Sequence, residues 1–251
     1  MTALVVQALA ALLLSLRIAP VFAFAPPFTL MRVPASIRLV LALALAGWLV
    51  SGNPQATWQA PFLAEGLLQT AAGELALGIA LTLALQLAFA ALLTAGRTID
   101  IQAGFGLAVL VDPTTRSQLP LVGTVFAYGA AAIFFALDGP ADLLAVWQAT
   151  LERAPLGSAA IGREPGVLIA YCSAAFVLAL GLAGLLLLVL LLLDIAIAWL
   201  SRTLPQMNVL VLGFQVKAIA TLATLPLAVS LGGALLARLI RSAIETMPQL
   251  V

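Results

Sequence analysis

The sequence has no histidine, one cysteine and few charged residues, and each shortage excludes a class of function. Charged residues make up 8% of the 251 residues, whereas a soluble domain carries about 25%. Histidine is the commonest general base and metal ligand, so its absence argues against acid–base catalysis and against a metal centre. Cys172 has no partner for an internal disulfide. The formal net charge of +1 gives no basic field to attract nucleic acid.

Catalytic sequence motifs are missing as well. There is no glycine-rich phosphate-binding loop, and Lys217, the only lysine, follows valine rather than glycine. The run Gly104, Phe105, Gly106 lacks the third glycine of a dinucleotide-binding fingerprint. Without histidine, a Ser-His-Asp triad cannot be assembled. The sequence therefore predicts a protein that is not an enzyme and has no catalytic residue, cofactor or metal site.

Apolar residues are abundant instead, at 64% of the chain. A helix of about 20 apolar residues crosses the hydrocarbon core of a bilayer, and segments of this kind recur along the chain. They occupy residues 1–24, 37–50, 65–96, 119–137, 167–200 and 208–240. The sequence therefore predicts an all-α, integral-membrane-type bundle of about six apolar helices in one domain.

Several features disfavour helix between or within these segments. A polar stretch covers residues 97–118, and a longer polar connector covers residues 138–166. Three prolines between residues 26 and 34 predict a break, and Pro226 followed by two glycines predicts an interruption of the sixth segment. Glu74 lies inside the third segment, where a carboxylate is costly unless it is paired or faces a polar channel.

The polar stretch contains one patch with an unusual pattern. Gly104 and Gly106 flank Phe105, which gives a freely bending backbone that carries one bulky apolar side chain. Asp112 and Pro113 then favour a turn. Irregular backbone at membrane depth must be buried in protein or line a cavity. Two interpretations remain open from these residues alone: a loop that obstructs a pore, or an ordinary connector between two spans.

A second patch predicts a helical hairpin that turns near Pro205. Asp194 lies eleven residues before this proline and Lys217 lies twelve after it, so a hairpin brings the two charges to similar depth on adjacent helices. An unpaired charge near mid-membrane costs about 2.5–3.5 kcal/mol, and a facing ion pair would offset that cost. Alternatively, each charge pairs with a different neighbour or with another subunit.

Three blocks of sequence, in order, carry a family resemblance. The first block is Leu16-Arg17-Ile18 with Ala25-Pro26-Pro27-Phe28 and Val33-Pro34 through Arg38. The second block is Ala95-Gly96, Ile99-Asp100 and Gln102-Ala103-Gly104-Phe105-Gly106 with Asp112-Pro113. The third block is Arg202-Thr203-Leu204-Pro205-Gln206-Met207-Asn208-Val209, continuing to Gly213-Phe214 and Lys217. Together they resemble the FliR/SctT family of type III export-gate subunits, which flagella and injectisomes share. The Pro-Gln-Met-Asn run favours the flagellar branch. Gln215 departs from the family, in which a proline is expected.

The resemblance implies partners and a location. FliR-like subunits assemble with FliP and FliQ into a hetero-oligomeric helical pore to which FlhB attaches, and unfolded flagellar export substrates pass through it. A flagellar member is expected in the bacterial inner membrane at the flagellar basal body. By the same resemblance, residues 1–165 correspond to a FliP-like part and residues 166–251 to a FliQ-like C-terminal hairpin.

The resemblance also implies roles for the two patches. The block with Gly104, Phe105, Gly106, Asp112 and Pro113 corresponds to the loop that plugs the closed pore. The signature residues Pro205, Gln206, Met207, Asn208 and Lys217 are expected to pack between subunits. Two alternatives remain: a homologous injectisome (virulence) export-gate subunit and a stand-alone small-solute transporter. Transporters often show inverted repeats with paired broken helices, and the sequence has no such symmetry.

Overall fold

The computed structural model describes residues 3–31, 33–57, 66–105, 120–158, 165–203 and 208–250. All regular structure in these ranges is helical, which confirms the predicted all-α class. The α-helices within these ranges are α1 (Ala3–Phe24), α2 (Pro26–Leu30), α3 (Ala35–Gly52), α4 (Pro54–Thr57), α5 (Leu67–Ala103), α6 (Leu121–Ala136), α7 (Gly139–Arg153), α8 (Pro165–Thr203) and α9 (Val209–Thr246). A 3-10 turn, Met247–Leu250, follows α9.

Two sequence-based boundaries were wrong. Helix α5 continues to Ala103, past the predicted end near residue 96. The polar connector at residues 138–166 contains the fifteen-residue helix α7. Helix α7 has ordinary start and stop signals, namely a proline in its first turn with Asp142, and Arg153 in its last turn. Helix α7 is amphipathic, so the residues of its buried face are separated by polar residues and do not form a long apolar run in the sequence.

The predicted interruption of the last segment was also wrong. Helix α9 runs without a break through Pro226 and the two glycines that follow it. Leu225 and Ala228, on either side of the proline turn, are buried. Their packing holds the helix together at the place where the proline removes a backbone hydrogen bond.

Five helices among the described residues are long and apolar enough to cross a membrane, and the bent pair α6–α7 would make a sixth span if it crosses as one unit. Helices α5, α8 and α9 contain 37, 39 and 38 residues. At a rise of about 1.5 Å per residue each is about 55 Å long or more, whereas the hydrocarbon core is about 30 Å thick. These three helices therefore extend well beyond the depth of a bilayer core.

The described chain divides into two compact units. The first unit comprises Met1–Ala88, Phe134–Ser173 and Ile240–Val251, and the second comprises Phe89–Ile133 and Ala174–Leu239. An aromatic cluster fills part of the first unit, with neighbouring ring centroids 4.7–6.0 Å apart. Its members are Phe22, Phe28, Phe134, Phe135 and Trp147. This cluster joins α1, α2, α6 and α7 within that unit.

Helices α1 and α5 approach closely in the first unit because Gly78 has no side chain. A Cβ atom placed on Gly78 would lie 2.6 Å from the backbone oxygen of Leu16 and 2.7 Å from that of Arg17. Small residues at helix crossings let backbones approach in this way in apolar surroundings. The crossing places Arg17 and Glu74 on facing helices.

Candidate functional site

Helix α5 ends in a Schellman motif at the start of the predicted plug patch. Gly104 has a φ of +84°, in the left-handed region that favours glycine. The Phe105 N–H donates to the Asp100 carbonyl at 2.9 Å, and the Gly104 N–H donates to the Ile101 carbonyl at 3.2 Å. These two bonds satisfy carbonyls that the helix end would otherwise leave free. The first two residues of the patch are thus a defined helix cap.

The ring of Phe214 lies directly on this cap. A Cβ atom placed on Gly104 would lie 2.4 Å from Cδ1 and 2.9 Å from Cε1 of Phe214. Both residues belong to the second unit. The central and C-terminal sequence blocks therefore meet in space, which their separation in sequence did not reveal. The remaining plug residues, Gly106, Asp112 and Pro113, lie outside the described residues.

Asp100 connects the end of α5 to the beginning of α6. Its Oδ1 accepts the Val122 N–H at 3.1 Å, and the residue is 6% exposed. The first N–H groups of a helix have no partner within the helix and carry partial positive charge. The Asp100 carboxylate therefore caps α6 from another helix. This role was missed in the sequence, where Asp100 was assigned only to a polar stretch.

Two glycines support the same junction. A Cβ atom placed on Gly96 would lie 2.1 Å from both Cα and N of Gly123. The backbones of α5 and α6 therefore approach closely at this crossing, where small residues leave room for them. The crossing and the Asp100 cap together hold the two helices on either side of residues 106–119.

Replacing Asp100 with alanine should destabilise the second unit, while replacing it with asparagine should preserve most of the stability. Alanine leaves the buried Val122 N–H without its acceptor, at a cost of about 1–3 kcal/mol. The side-chain amide oxygen of the asparagine variant can still accept that bond. Thermal unfolding of Asp100→Ala and Asp100→Asn in detergent measures the difference. Equal stability of the two variants would show that the cap contributes nothing.

The predicted hairpin partners, Asp194 and Lys217, are brought together as an ion pair between Lys217 Nζ and Asp194 Oδ1. The side chains are 41% exposed for Asp194 and 15% for Lys217, so the pair is only partly buried. Gly213 faces Ile197 one turn away on each helix, with an added Cβ 3.4 Å from the Ile197 Cδ1. Both contacts indicate one antiparallel register for α8 and α9.

Of the signature run Pro205–Asn208, the structure describes Asn208, which directly precedes α9. Asn208 accepts the Val211 N–H on its side-chain oxygen at 3.4 Å, and its carbonyl accepts the Leu212 N–H at 3.2 Å. Asn208 is thus the N-cap of α9, and it is exposed. Pro205, Gln206 and Met207 lie outside the described residues. The expected packing of this run against other subunits stays a prediction.

The first unit contains a buried charged network that sequence reasoning did not assign. Arg17 and Glu74 are both 0% exposed. Arg17 donates from Nε to Glu74 Oε2 at 2.7 Å and from Nη2 to Oε1 at 3.0 Å. The same Nη2 donates to the Ala154 carbonyl at 3.0 Å, and the Gly157 N–H donates to Glu74 Oε1 at 3.2 Å. The network links α1, α5 and the segment after α7.

This network meets the requirement that an acid inside an apolar segment be paired. The available sequence signal was the presence of Arg17 and Glu74 inside two apolar segments, but nothing local indicated that they would meet. No group of three or more histidine, cysteine, aspartate or glutamate side chains capable of holding a metal occurs within the described residues. The charged groups described above pair with each other, cap a helix and join helices.

Comparison with known proteins gives a consistent assignment. The family model of bacterial export proteins, family 1, matches residues 8–243. Flagellar biosynthetic protein FliR of Bacillus subtilis (strain 168) is 30% identical over 255 residues, covering 96% of this chain and 93% of that protein. The FliR of Escherichia coli (strain K12) is 28% identical over 222 residues, covering 88% and 82%.

A relative with a different name matches over a similar range. Surface presentation of antigens protein SpaR of Shigella sonnei is 26% identical over 203 residues, covering 81% of this chain and 78% of that protein. The match to the family model spans nearly the whole helical array, including the α5 cap, the α5–α6 crossing and the α8–α9 hairpin. This chain therefore belongs to family 1 of the bacterial export proteins.

Proposed function

We propose that this chain assembles with FliP and FliQ into the pore of a flagellar type III export gate, with FlhB attached, in the bacterial inner membrane at the basal body. The family relationship makes it a membrane-embedded subunit of a flagellar protein-export apparatus and not an enzyme. The pore admits unfolded flagellar proteins. In this proposal residues 1–165 form the FliP-like part, and residues 166–251 form the FliQ-like hairpin.

The observation that carries this proposal is the large apolar surface of α8 and α9. In the most apolar 18-residue stretch of each span, 28% of the residues are buried within the chain. Ile169, Val177, Trp199, Ile219 and Leu231 are each more than 65% exposed. Lipid can cover about 20 residues of such a helix, but each of these helices is nearly twice that length. Partner subunits of a hetero-oligomer would cover the remainder.

The apolar plug is the second part of the proposal. The first two residues of the proposed segment, Gly104 and Phe105, follow the end of α5, and Asp100 and the glycine crossing join α5 to α6. A loop whose first residues are held in place can obstruct a pore reproducibly, because those residues determine where its apolar side chain lies. Gly104, Phe105, Gly106, Asp112 and Pro113 are the proposed gating residues.

Deleting Gly104–Gly106 should make the cell membrane permeable to small ions while leaving the complex assembled. Assembly is measured by co-purification of the tagged chain with FliP and FliQ in mild detergent, and permeability is measured by collapse of an ion gradient. The matched control is Gly184→Ala, which lies where an added Cβ meets nothing within 4 Å. Unchanged ion permeability in cells that carry the assembled deletion complex would remove the plug from the proposal.

The same purification separates the other candidate functions. A stable complex with other small helical membrane proteins supports an export gate, whereas an isolated homo-oligomer that moves solute supports a transporter. The similarity to SpaR makes an injectisome gate the second candidate. Loss of flagellar filaments after deletion of the chain assigns it to the flagellar branch, and intact filaments with loss of effector secretion assign it to the other.

A further inference from the structure

Three contacts determine where Phe214 lies within the second unit. The Asp194–Lys217 pair and the Gly213–Ile197 contact, described above, fix one register of α8 against α9. A third contact is further along the hairpin, where a Cβ atom placed on Gly232 would lie 2.0 Å from Leu182 Cδ1. A helix pair held at two levels cannot slide by a residue without breaking both sets of contacts. The position of Phe214 along the axis of α9 is therefore fixed relative to α8.

The ring of Phe214 contacts the cap at the end of α5 and not the side of that helix. Gly104 at φ +84° is where α5 stops. The ring occupies the space that any side chain at Gly104 would need. A change in the Gly104 dihedral angles would change the direction in which the chain leaves α5, and the ring restricts that change on one side. The cap and the hairpin are thus in direct contact through one aromatic side chain.

We propose that Phe214 is a positioning residue that locks the Gly104 cap, in the sense that its ring restricts the dihedral angles of Gly104. The α8–α9 hairpin thereby fixes the direction in which the chain leaves α5 at the start of the gating segment. This inference rests on the proposed plug function of that segment. It gives the C-terminal hairpin a role inside its own chain, in addition to the role of packing against partner subunits. Displacement of the hairpin register would move Phe214 and release the cap.

Removing the ring should loosen the cap without dismantling the complex. In Phe214→Ala, the amides of Gly104 and Phe105 should exchange with solvent about tenfold faster, because the contact that resists local opening is gone. Hydrogen exchange of the assembled complex, followed by mass spectrometry of the peptide that contains these residues, measures this rate. Ion permeability of cells carrying the variant should rise at the same time.

Two controls separate positioning from general apolar loss. Phe214→Tyr keeps the ring and should behave like the parent chain in both measurements. Leu222→Ala removes an apolar side chain that is 54% exposed on the same helix and should leave the exchange rate at Gly104 and Phe105 unchanged. An exchange rate in Phe214→Ala equal to that of the parent overturns the lock. Faster exchange with an ion-tight membrane overturns its role in positioning the gate.

A glycine pair isolates the steric contact. Gly66→Ala and Gly104→Ala both place a side chain at positive φ, +90° and +84°, but an added Cβ meets nothing within 4 Å at Gly66. Gly104→Ala should therefore accelerate exchange at the cap more than Gly66→Ala does at its own position. Added to Phe214→Ala, Gly104→Ala should accelerate exchange further by no more than Gly66→Ala does. Failure of the Gly104–Gly106 deletion to cause a leak removes the plug proposal, while the exchange rates still decide whether the lock exists.

Discussion

Replacing Arg17 with methionine should lower the free energy of unfolding of the first unit by about 3–5 kcal/mol, the cost of leaving one member of a buried ion pair uncompensated. Glu74 would remain in a fully buried site with only the Gly157 N–H as a donor among its described contacts. Glu74→Leu should cost a similar amount, because it isolates the Arg17 charge. Denaturation in mixed micelles, followed by tryptophan fluorescence, measures the change.

The double variant Arg17→Met with Glu74→Leu is the decisive control. Replacing both members of a buried pair with apolar residues is often neutral or stabilising, since the desolvation cost of both charges disappears. Arg17 Nη1 has no hydrogen-bond partner within the described residues, so the native pair is not fully satisfied. We expect the double variant to recover most of the lost stability. Arg97→Met, at an exposed position on α5, should change the free energy of unfolding little. A loss as large as that of Arg17→Met would show that the uncompensated buried charge is not the cause.

Replacing Gly96 with alanine should separate α5 from α6 and destabilise the second unit. The added Cβ would lie 2.1 Å from the backbone of Gly123. No side-chain rotation can relieve this contact, because a Cβ atom and a backbone cannot rotate away from each other. Overpacking in a close-packed site costs about 1–3 kcal/mol and occasionally more. The thermal unfolding temperature of the purified complex should fall, and export of flagellar proteins should fall with it.

Gly184→Ala is the matched substitution. Gly184 lies within α8, where an added Cβ meets nothing within 4 Å. Alanine is favoured over glycine in a helix by about 1 kcal/mol, so this variant should be as stable as the parent chain or more so. If both glycine variants had the same stability, the close approach at Gly96 would not be the reason for that glycine.

Local signals were sufficient for the helical hairpin at the C-terminus. The breaking residues near Pro205 indicate where the chain turns, and the nearly equal separations of Asp194 and Lys217 from that proline place the two residues at similar depth. A facing Asp194–Lys217 pair was one of the alternatives that the sequence left open, and the structure brings the two residues together. The helix ends were less predictable, because polar residues such as Asp100 end a helix in one context and continue it when a neighbouring helix supplies a donor.

Contacts between distant segments could not be predicted. Arg17 and Glu74 are 57 residues apart in sequence, and many other pairings of the ten acids and eleven bases were possible. The Gly96–Gly123 crossing and the Phe214–Gly104 contact involve residues that any apolar, glycine-rich sequence could contain. Each becomes visible only when the faces of two helices are known.

The sequence by itself determined that this protein is an all-α membrane chain without catalytic chemistry, and its three ordered blocks indicated its family. These properties depend on composition, on periodicity and on turn residues a few positions apart, all of which are local. Only the tertiary structure decided that Arg17 pairs with Glu74, which glycines lie at helix crossings and which aromatic ring covers the cap at Gly104. Those outcomes depend on how helices far apart in sequence pack, because apolar surfaces attract without direction and close packing alone selects which residues meet.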